Sequence, residues 1–228
     1  MTAAAVAFPV APLAHARAGG FGLGVRATPA PPGWHEAGAA AGDARLLTSL
    51  LARTCHAAGT RAGAVAATWY LEKHAWLACG AALAGLLVHG AVPPLDRAFV
   101  RHADEGWVDA IAVPEHGWER ADPAVLAALL EAHLAPLVAA LSDRRPARAL
   151  WLCAGDRLGQ AAIWCGEAFG DRTAAWSLAA AALEAPTALE APAGLTLREG
   201  EPFRRRRGCC LSHRCPAGAT CDDCPLSR

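Results

Sequence analysis

The chain has 228 residues, enough for one large domain or for one domain with a small additional module. Its formal net charge is zero and its pI is 7.1, which argues against nucleic acid or an anionic lipid surface as a broad electrostatic partner. Alanine and leucine supply most of the 54% apolar residues, so the composition favours helices over a large β-sheet.

The first part of the chain, residues 1–40, is rich in Ala, Gly and Pro and predicts an irregular lead-in. Its apolar stretch has no basic residue before it and is interrupted by Pro9 and Pro12, so we do not expect a signal peptide. The glycine-rich stretch Gly19–Gly24 follows no clear strand, and prolines stand where a helix would have to begin. We therefore assign no nucleotide site to it.

Residues 41–184 predict a helical body. Four leucines form an apolar face behind a helix cap at Asp43, and residues 61–88 predict one or two further helices that end at Gly90. The longest apolar run, Ala75–Val88, has 14 residues and is too short to cross a bilayer, so we expect a buried helix. We expect a cytoplasmic protein, whose cysteines are then reduced.

The second half of the body begins with the best candidate for β-structure. Ala98–Val113 predicts a short hairpin with its turn at Ala103–Gly106. Asp122 and the proline after it predict the start of a strong helix, in which Pro136 is expected to produce a kink or a break. The fold class is therefore mainly α, with at most a short hairpin.

Two more helices complete the predicted body. One begins near Pro146, and the last begins behind a cap at Asp171 and runs to about Leu183. Residues 185–200 then predict a linker into a C-terminal segment, residues 201–228.

This C-terminal segment contains five of the nine cysteines. Cys221 and Cys224 enclose a two-residue turn that can direct two sulfurs to one metal centre. Cys209 and Cys210 are neighbours, whose side chains point to opposite faces of an extended chain, so both can bind metal only where the backbone turns sharply. Gly208, directly before the pair, would favour such a turn.

Three kinds of cysteine site compete at this point. A disulfide framework is disfavoured because the number of cysteines is odd and the expected compartment is reducing. A structural zinc site stays open, since zinc accepts four thiolates. Adjacent cysteines fit a single tetrahedral ion awkwardly, whereas a two-iron cluster presents two separate metal atoms.

The spacing CC-x10-C-x2-C, with arginines before it and "DCPL" at its end, resembles the FhuF family of ferric siderophore reductases. In that family four cysteines hold a [2Fe–2S] cluster that reduces iron(III) bound to a siderophore. The resemblance implies a [2Fe–2S] cofactor here and the following ligands: Cys209, Cys210, Cys221 and Cys224.

The helical body is similar to the same family over "EAHLAPLVAAL" and "ARALWLCAGDRLGQA". Many members carry Asn two residues after the tryptophan, where this chain has Cys153. Cys215 has no obvious counterpart in the family and is the first substitute should one of the four ligands prove wrong.

The resemblance also implies the partners. A ferric siderophore is the expected substrate, and a ferredoxin or an NAD(P)H-dependent reductase is the expected electron donor, since the sequence shows no flavin or nicotinamide site. Arg204–Arg207 would neutralise part of the cluster's charge. Alternatively they form a solvated basic run that contacts an acidic donor or the inner face of the membrane.

Two other functions stay open: a zinc-stapled helical binding protein, and a relative of siderophore-biosynthesis synthetases, which lack this cysteine segment. The remaining chemistry-bearing residues have simpler interpretations. His133 and Glu131 are expected to form an exposed or capped pair on a helix, and His213 is not expected to replace a cysteine ligand. Four cysteines in apolar stretches are expected to pack in the core: Cys55, Cys79, Cys153 and Cys165.

Overall fold

In the computed structural model, the backbone is described for residues 17–18, 21–22, 25–27, 32–189, 194–198, 201–216, 218, 220, 221 and 223–226. Most of the described residues belong to six α-helices, which confirms the mainly α class. The helices are α1 Ala39–Gly42, α2 Ala44–Ala57, α3 Gly63–His89, α4 Pro123–Leu141, α5 Ala147–Phe169 and α6 Arg172–Leu183.

Short strands accompany the helices. They are β1 Arg17–Ala18, β2 Phe21–Gly22, β3 Val25–Ala27, β4 His35–Glu36, β5 Ala91–Val92, β6 Phe99–His102, β7 Val108–Val113, β8 Glu119–Arg120, β9 Gly194–Arg198 and β10 Glu201–Arg205.

The core is built around α3, which is apolar on nearly all sides and is buried along most of its length. It is a single helix, and Gly90 ends it in the left-handed conformation at φ 62°. Helix α5 packs against it, and Cys165 of α5 lies with its Sγ 3.9 Å from the carbonyl oxygen of Gly80. The two longest helices therefore form the centre of the protein, and the burial of α3 confirms the buried helix that the continuous apolar run predicted.

The predicted helix starts are confirmed by their caps. The side chain of Asp43 accepts hydrogen bonds from the backbone N–H of Arg45 and Leu46, and Asp122 and Asp171 cap α4 and α6 in the same way. Such caps contribute about 1 kcal/mol each. Pro136 lies inside α4 without splitting it.

The predicted hairpin is present as β6 and β7, with the turn at Ala103–Gly106 closed by a 2.9 Å hydrogen bond from Ala103 N–H to the carbonyl of Trp107. It belongs to a four-stranded sheet with the order β3-β7-β6-β4, in which β3 is parallel to β7. The flanking strands of two and three residues were not predicted, because they are too short to show an alternating pattern.

Helices α3 and α4 are each long and apolar enough to span a bilayer by length and composition alone. The apolar stretch of α3 is 78% buried inside the protein, as expected for a core helix. Helix α4 packs one face on the core and leaves Val125 exposed on the other.

The predicted divisions of the chain remain predictions. Strands β9 and β10 pair with each other, so Gly194–Arg198 is a strand within the predicted linker, whereas residues 190–193 lie outside the described residues. Most of the predicted lead-in, including parts of Gly19–Gly24, also lies outside them.

Candidate metal centre

The four predicted cysteine ligands lie in one loop that follows β10. Cys210 and Cys224 are buried, whereas Cys209 and Cys221 are half-buried. The sulfurs of Cys210 and Cys221 are 3.4 Å apart, so the loop brings one member of the adjacent pair against one member of the CxxC pair. Within the described residues, no three Cys, His, Asp or Glu side chains are gathered closely enough to hold a metal ion.

The backbone bends on both sides of the adjacent pair, at Arg207 and Gly208 before it and at Leu211 after it. Leu211 has φ 62° and is the only described non-glycine residue in the left-handed region. Gly208 has another reason to be glycine: a Cβ there would lie 2.7 Å from Sγ of Cys153 and 2.8 Å from its backbone nitrogen. Gly208 therefore lies in a bend directly before the pair, as predicted, and it also permits a close approach to α5.

Hydrogen-bond donors are directed at the sulfurs. The N–H of Leu211 lies 3.4 Å from Sγ of Cys209, the hydroxyl of Ser212 lies 3.0 Å from Sγ of Cys210, and Nη1 of Arg206 lies 3.9 Å from Sγ of Cys221. Donors of this kind stabilise the negative charge on thiolates and on the sulfur atoms of metal–sulfur groups.

The two sulfurs in contact have opposite pKa shifts. Burial raises the pKa of Cys210, but the hydrogen bonds from Ser212 outweigh it and the net pKa lies below the usual value. Burial and the contact with Cys210 raise the pKa of Cys221 to about 11. Within the pair, the thiol of Cys210 is therefore the more acidic of the two.

Two side chains from the helical body hold the loop by its backbone. The indole N–H of Trp69, on α3, donates to the carbonyl of Cys210 at 2.9 Å. Arg145, before α5, donates to the carbonyl of Cys209 at 2.8 Å and also to the hydroxyl of Thr68. The adjacent cysteines are therefore tied to two separate parts of the body.

A buried network of charges holds the start of the loop. Arg206 is 5% exposed and forms an ion pair with Glu72 of α3, which also pairs with Arg157 of α5. Asp156 is fully buried and accepts from the N–H of Gly208 at 2.8 Å and from that of Arg207 at 3.2 Å. Buried charges persist only when they are paired and hydrogen-bonded in this way.

The same network corrects one interpretation of the arginine run. Arg204 pairs with Asp223 and donates to the carbonyl of Asp156 at 2.6 Å, and its side chain is 9% exposed. Arg205 and Arg207 are exposed. The run is therefore not a wholly solvated basic patch, since alternate arginines point into the protein.

Sequence reasoning missed the residues that hold the loop, chiefly Glu72, Asp156 and Arg157. Their position in the sequence could have revealed them, because each is a charged residue among mostly apolar residues of a long helix. Such residues are rarely buried without a partner.

The remaining cysteines and His213 differ in burial and in their contacts with the cysteine loop. Cys79, Cys153 and Cys165 are buried as predicted, and Cys55 and Cys215 are half-buried. The sulfur of Cys153 lies 3.9 Å from the carbonyl of Cys209, so the position where many family members have Asn faces the cysteine loop. His213 is exposed, with Nδ1 3.8 Å from Sγ of Cys209.

His133 and Glu131 do not form the expected exposed or capped pair. Nε2 of His133 lies 2.9 Å from Nε2 of His74, and Glu131 accepts from the N–H of Ala188. Burial lowers the pKa of His133 to about 4. Tyr70 and His102 form a second pair, with Tyr70 Oη 3.0 Å from His102 Nε2, and the ring of Tyr70 also lies 6.4 Å from that of His74.

The cysteine loop has the chemistry of a thiolate-held metal group. It carries five thiols, four of them the predicted ligands, together with backbone and hydroxyl donors directed at sulfur and a buried arginine that offsets negative charge. This donor set suits zinc or an iron–sulfur cluster, because both are anionic when bound by four thiolates.

Comparison with known proteins shows which family the cysteine loop is similar to. Residues 206–226 match the family model described as the FhuF 2Fe-2S C-terminal domain. The match spans all four predicted ligands and Arg206 but does not include the helical body, and it confirms the resemblance predicted for the C-terminal segment. No curated protein matches the chain. Residues 206–226 are thus similar to the FhuF 2Fe-2S C-terminal domain.

Proposed function

We propose that the protein is a cytoplasmic ferric siderophore reductase, which converts siderophore-bound iron(III) to iron(II) by transfer of one electron. The observation that carries the proposal is the match of residues 206–226 to the FhuF 2Fe-2S domain. The donors directed at the sulfurs of that loop support it. The proposed ligands are Cys209, Cys210, Cys221 and Cys224.

The reaction has a simple driving principle. Siderophore oxygens are hard donors that bind hard iron(III) tightly and iron(II) much more weakly. Adding one electron to the iron therefore loosens the complex and frees the metal. A [2Fe–2S] cluster, when bound, supplies electrons one at a time.

Residues around the loop offset negative charge at the sulfurs and hold the loop in position. The guanidinium of Arg206 lies against Sγ of Cys221 and offsets negative charge there, which favours the reduced state. Glu72 and Asp156 hold that guanidinium from two helices, so its position is set before any electron arrives. Trp69 and Arg145 hold the backbone of the adjacent cysteines.

The electron donor is proposed to be a separate ferredoxin or NAD(P)H-dependent reductase. Exposed Arg205 and Arg207, beside the cysteine loop, offer an acidic donor a contact surface. The same two arginines would support a loose contact with the inner face of the membrane. No nucleic acid partner is proposed, in keeping with the zero net charge.

The decisive experiment starts from protein purified without oxygen. We expect iron and acid-labile sulfide in a ratio near one to one, a brown colour that dithionite bleaches, and reoxidation by a ferric siderophore with iron(II) captured by a chelator. A colourless protein with one bound zinc would instead identify the zinc-stapled alternative. Rapid stoichiometric reduction by NADPH alone would contradict the separate donor.

A further inference from the structure

A serine directly after the left-handed turn of the cysteine loop has its hydroxyl against a proposed ligand. We propose that Ser212 is a positioning residue of the metal centre, whose hydroxyl donates to Sγ of Cys210 and thereby raises the reduction potential of the cluster. The inference rests on the proposed function, because it concerns the centre that would deliver the electron. It adds a neutral hydrogen bond at one sulfur to the charge that Arg206 supplies at another.

The contact is short, and metal binding fixes its direction. Oγ of Ser212 lies 3.0 Å from Sγ of Cys210. Between a hydroxyl and a thiol, either group can donate. A metal-bound cysteine is a thiolate without a proton, so in the loaded protein the hydroxyl has to be the donor. The backbone N–H of Ser212 is directed at the same sulfur, and this one residue therefore supplies both a side-chain and a backbone donor to Cys210.

A strained turn brings these donors to the adjacent cysteines. Leu211 has φ 62°, which is costly for a residue with a Cβ, and a short 3₁₀-helix, Ser212–Arg214, begins directly after it. The turn brings the N–H of Leu211 to 3.4 Å from Sγ of Cys209 and the hydroxyl of Ser212 to Sγ of Cys210. Two successive residues thus donate to two successive cysteines, which explains why the turn is retained despite its strain.

Burial makes the hydrogen bond to Cys210 the stronger of these contacts. Cys210 is 7% exposed, whereas Cys209 is half-buried. Hydrogen bonds are electrostatically stronger where water is excluded. The contacts to Cys209 are also longer, since exposed His213 has its Nδ1 at 3.8 Å. Among the described donors to the adjacent pair, Ser212 should therefore have the largest effect on the charge of a sulfur.

The hydrogen bond acts on the electron step through that charge. Reduction adds one electron to the cluster and makes its sulfurs more negative. A donor at sulfur stabilises the more negative state more strongly, so it raises the potential. The cluster gains its electron from the donor protein and later passes it to siderophore-bound iron(III), which becomes iron(II). The proton of Ser212 stays on its oxygen throughout, and the higher potential favours the first of the two transfers.

Potentiometric titration of cluster-loaded protein measures the effect. In Ser212→Ala we expect the equilibrium constant for one-electron reduction to fall about fivefold, which is roughly 40 mV at about 59 mV per tenfold. Ser212→Thr keeps a hydroxyl and should stay within about twofold of the wild-type constant. Iron and acid-labile sulfide should be equal in all three proteins.

A second measurement detects the hydrogen itself. Hyperfine spectroscopy of the reduced, paramagnetic cluster in H₂O and in D₂O reports exchangeable hydrogens close to the sulfurs. One strongly coupled exchangeable hydrogen should be present in the wild type and in Ser212→Thr and absent from Ser212→Ala. A serine that only maintained the shape of the loop would give no such loss.

Ser142 and His213 provide the controls. The hydroxyl of Ser142 is exposed and donates to the carbonyl of Ala139 at 2.8 Å, at the end of α4. Ser142→Ala should leave the potential and the hyperfine spectrum unchanged. His213→Ala removes an exposed side chain beside Cys209 and should change the equilibrium constant by less than about twofold.

Several outcomes would overturn the inference. An unchanged potential in Ser212→Ala with full iron content would do so, as would an equal shift in Ser212→Thr, which retains the hydroxyl. If Ser212→Ala binds no iron, the wild-type spectrum decides, because a cluster without a strongly coupled exchangeable hydrogen has no such donor. All these results leave the reductase function standing. By contrast, a reduced wild-type cluster that no ferric siderophore reoxidises would refute the proposed function and not the role of Ser212.

Discussion

Glu72→Gln is the sharpest test of how the cysteine loop is attached to the body. Glu72 lies on α3, is 4% exposed and pairs with two arginines, Arg157 from α5 and Arg206 from the loop. Burial alone would raise the pKa of Glu72, but the two guanidinium charges outweigh it and the pKa is lowered. Glutamine has nearly the same shape and removes only the charge, which leaves buried Arg206 and half-buried Arg157 with less compensation.

The expected magnitude follows from these contacts. Removing one partner of a buried ion pair costs about 3–5 kcal/mol. Arg206 keeps a second carboxylate, since its Nε lies 3.6 Å from Oδ2 of Asp156, so we expect the lower end of that range. A loss of about 3 kcal/mol is a large fraction of the stability of an ordinary domain, yet it leaves the protein folded.

Urea unfolding of reduced, metal-free protein measures this loss. The midpoint should fall by roughly 1 M or more. Glu167→Gln is the control, because Glu167 forms a 4.0 Å pair with Arg172 in which both side chains are about half exposed, and exposed pairs contribute about 0–1 kcal/mol. If the two variants lose equal stability, the buried network does not hold the loop as argued.

Three further predictions concern the cysteines, the buried histidines and the arginine beside the sulfurs. Cys221→Ser should abolish bound iron while Cys215→Ser retains it, measured by metal and sulfide analysis; iron retained in the first variant would reassign the ligands. Burial depresses the pKa of His133 to about 4, whereas the unfolded value is about 6.5, so the unfolded state binds more protons between these values. Stability should therefore decrease as the pH is lowered from about 6.5 to about 4, by up to about 1.4 kcal/mol per pH unit for each such histidine, and His133→Gln should flatten the profile. Arg206→Gln should lower the cluster's potential by on the order of 100 mV, since unit charges about 5 Å apart interact by about 3 kcal/mol at an effective dielectric of 20, whereas exposed Arg205→Gln should shift it far less.

Much of the helical body could be predicted because its signals are local. Three helix starts could be predicted from aspartates whose side chains accept hydrogen bonds from backbone N–H groups of the first turn: Asp43, Asp122 and Asp171. The end of α3 could be predicted from Gly90, which adopts the left-handed conformation. The Ala103–Gly106 turn between alternating strands is equally local. Two- and three-residue strands such as β3 and β4 escape prediction because their pairing depends on distant parts of the chain.

The cysteine loop also has features that could be predicted from the sequence and features that could not. The spacing of Cys209, Cys210, Cys221 and Cys224 is a property of the chain itself and was sufficient to indicate the FhuF-type segment, which the family match confirms for residues 206–226. Gly208 was predicted to favour a bend before the adjacent cysteines, and the structure has a bend there. Only the approach of α5, with Cys153 in place, shows why a side chain is not tolerated there.

The amino-acid sequence by itself determined the helical class, the helix ends and the resemblance of the last segment to a FhuF-type cysteine motif, because each depends on residues close together along the chain. Only the tertiary structure decided that Glu72, Asp156 and Arg157 hold the cysteine loop, and that Arg206 faces sulfur while Arg205 faces water. A buried charge must find its partner wherever the fold brings one, and Glu72 and Arg206 are separated by 134 positions in the chain.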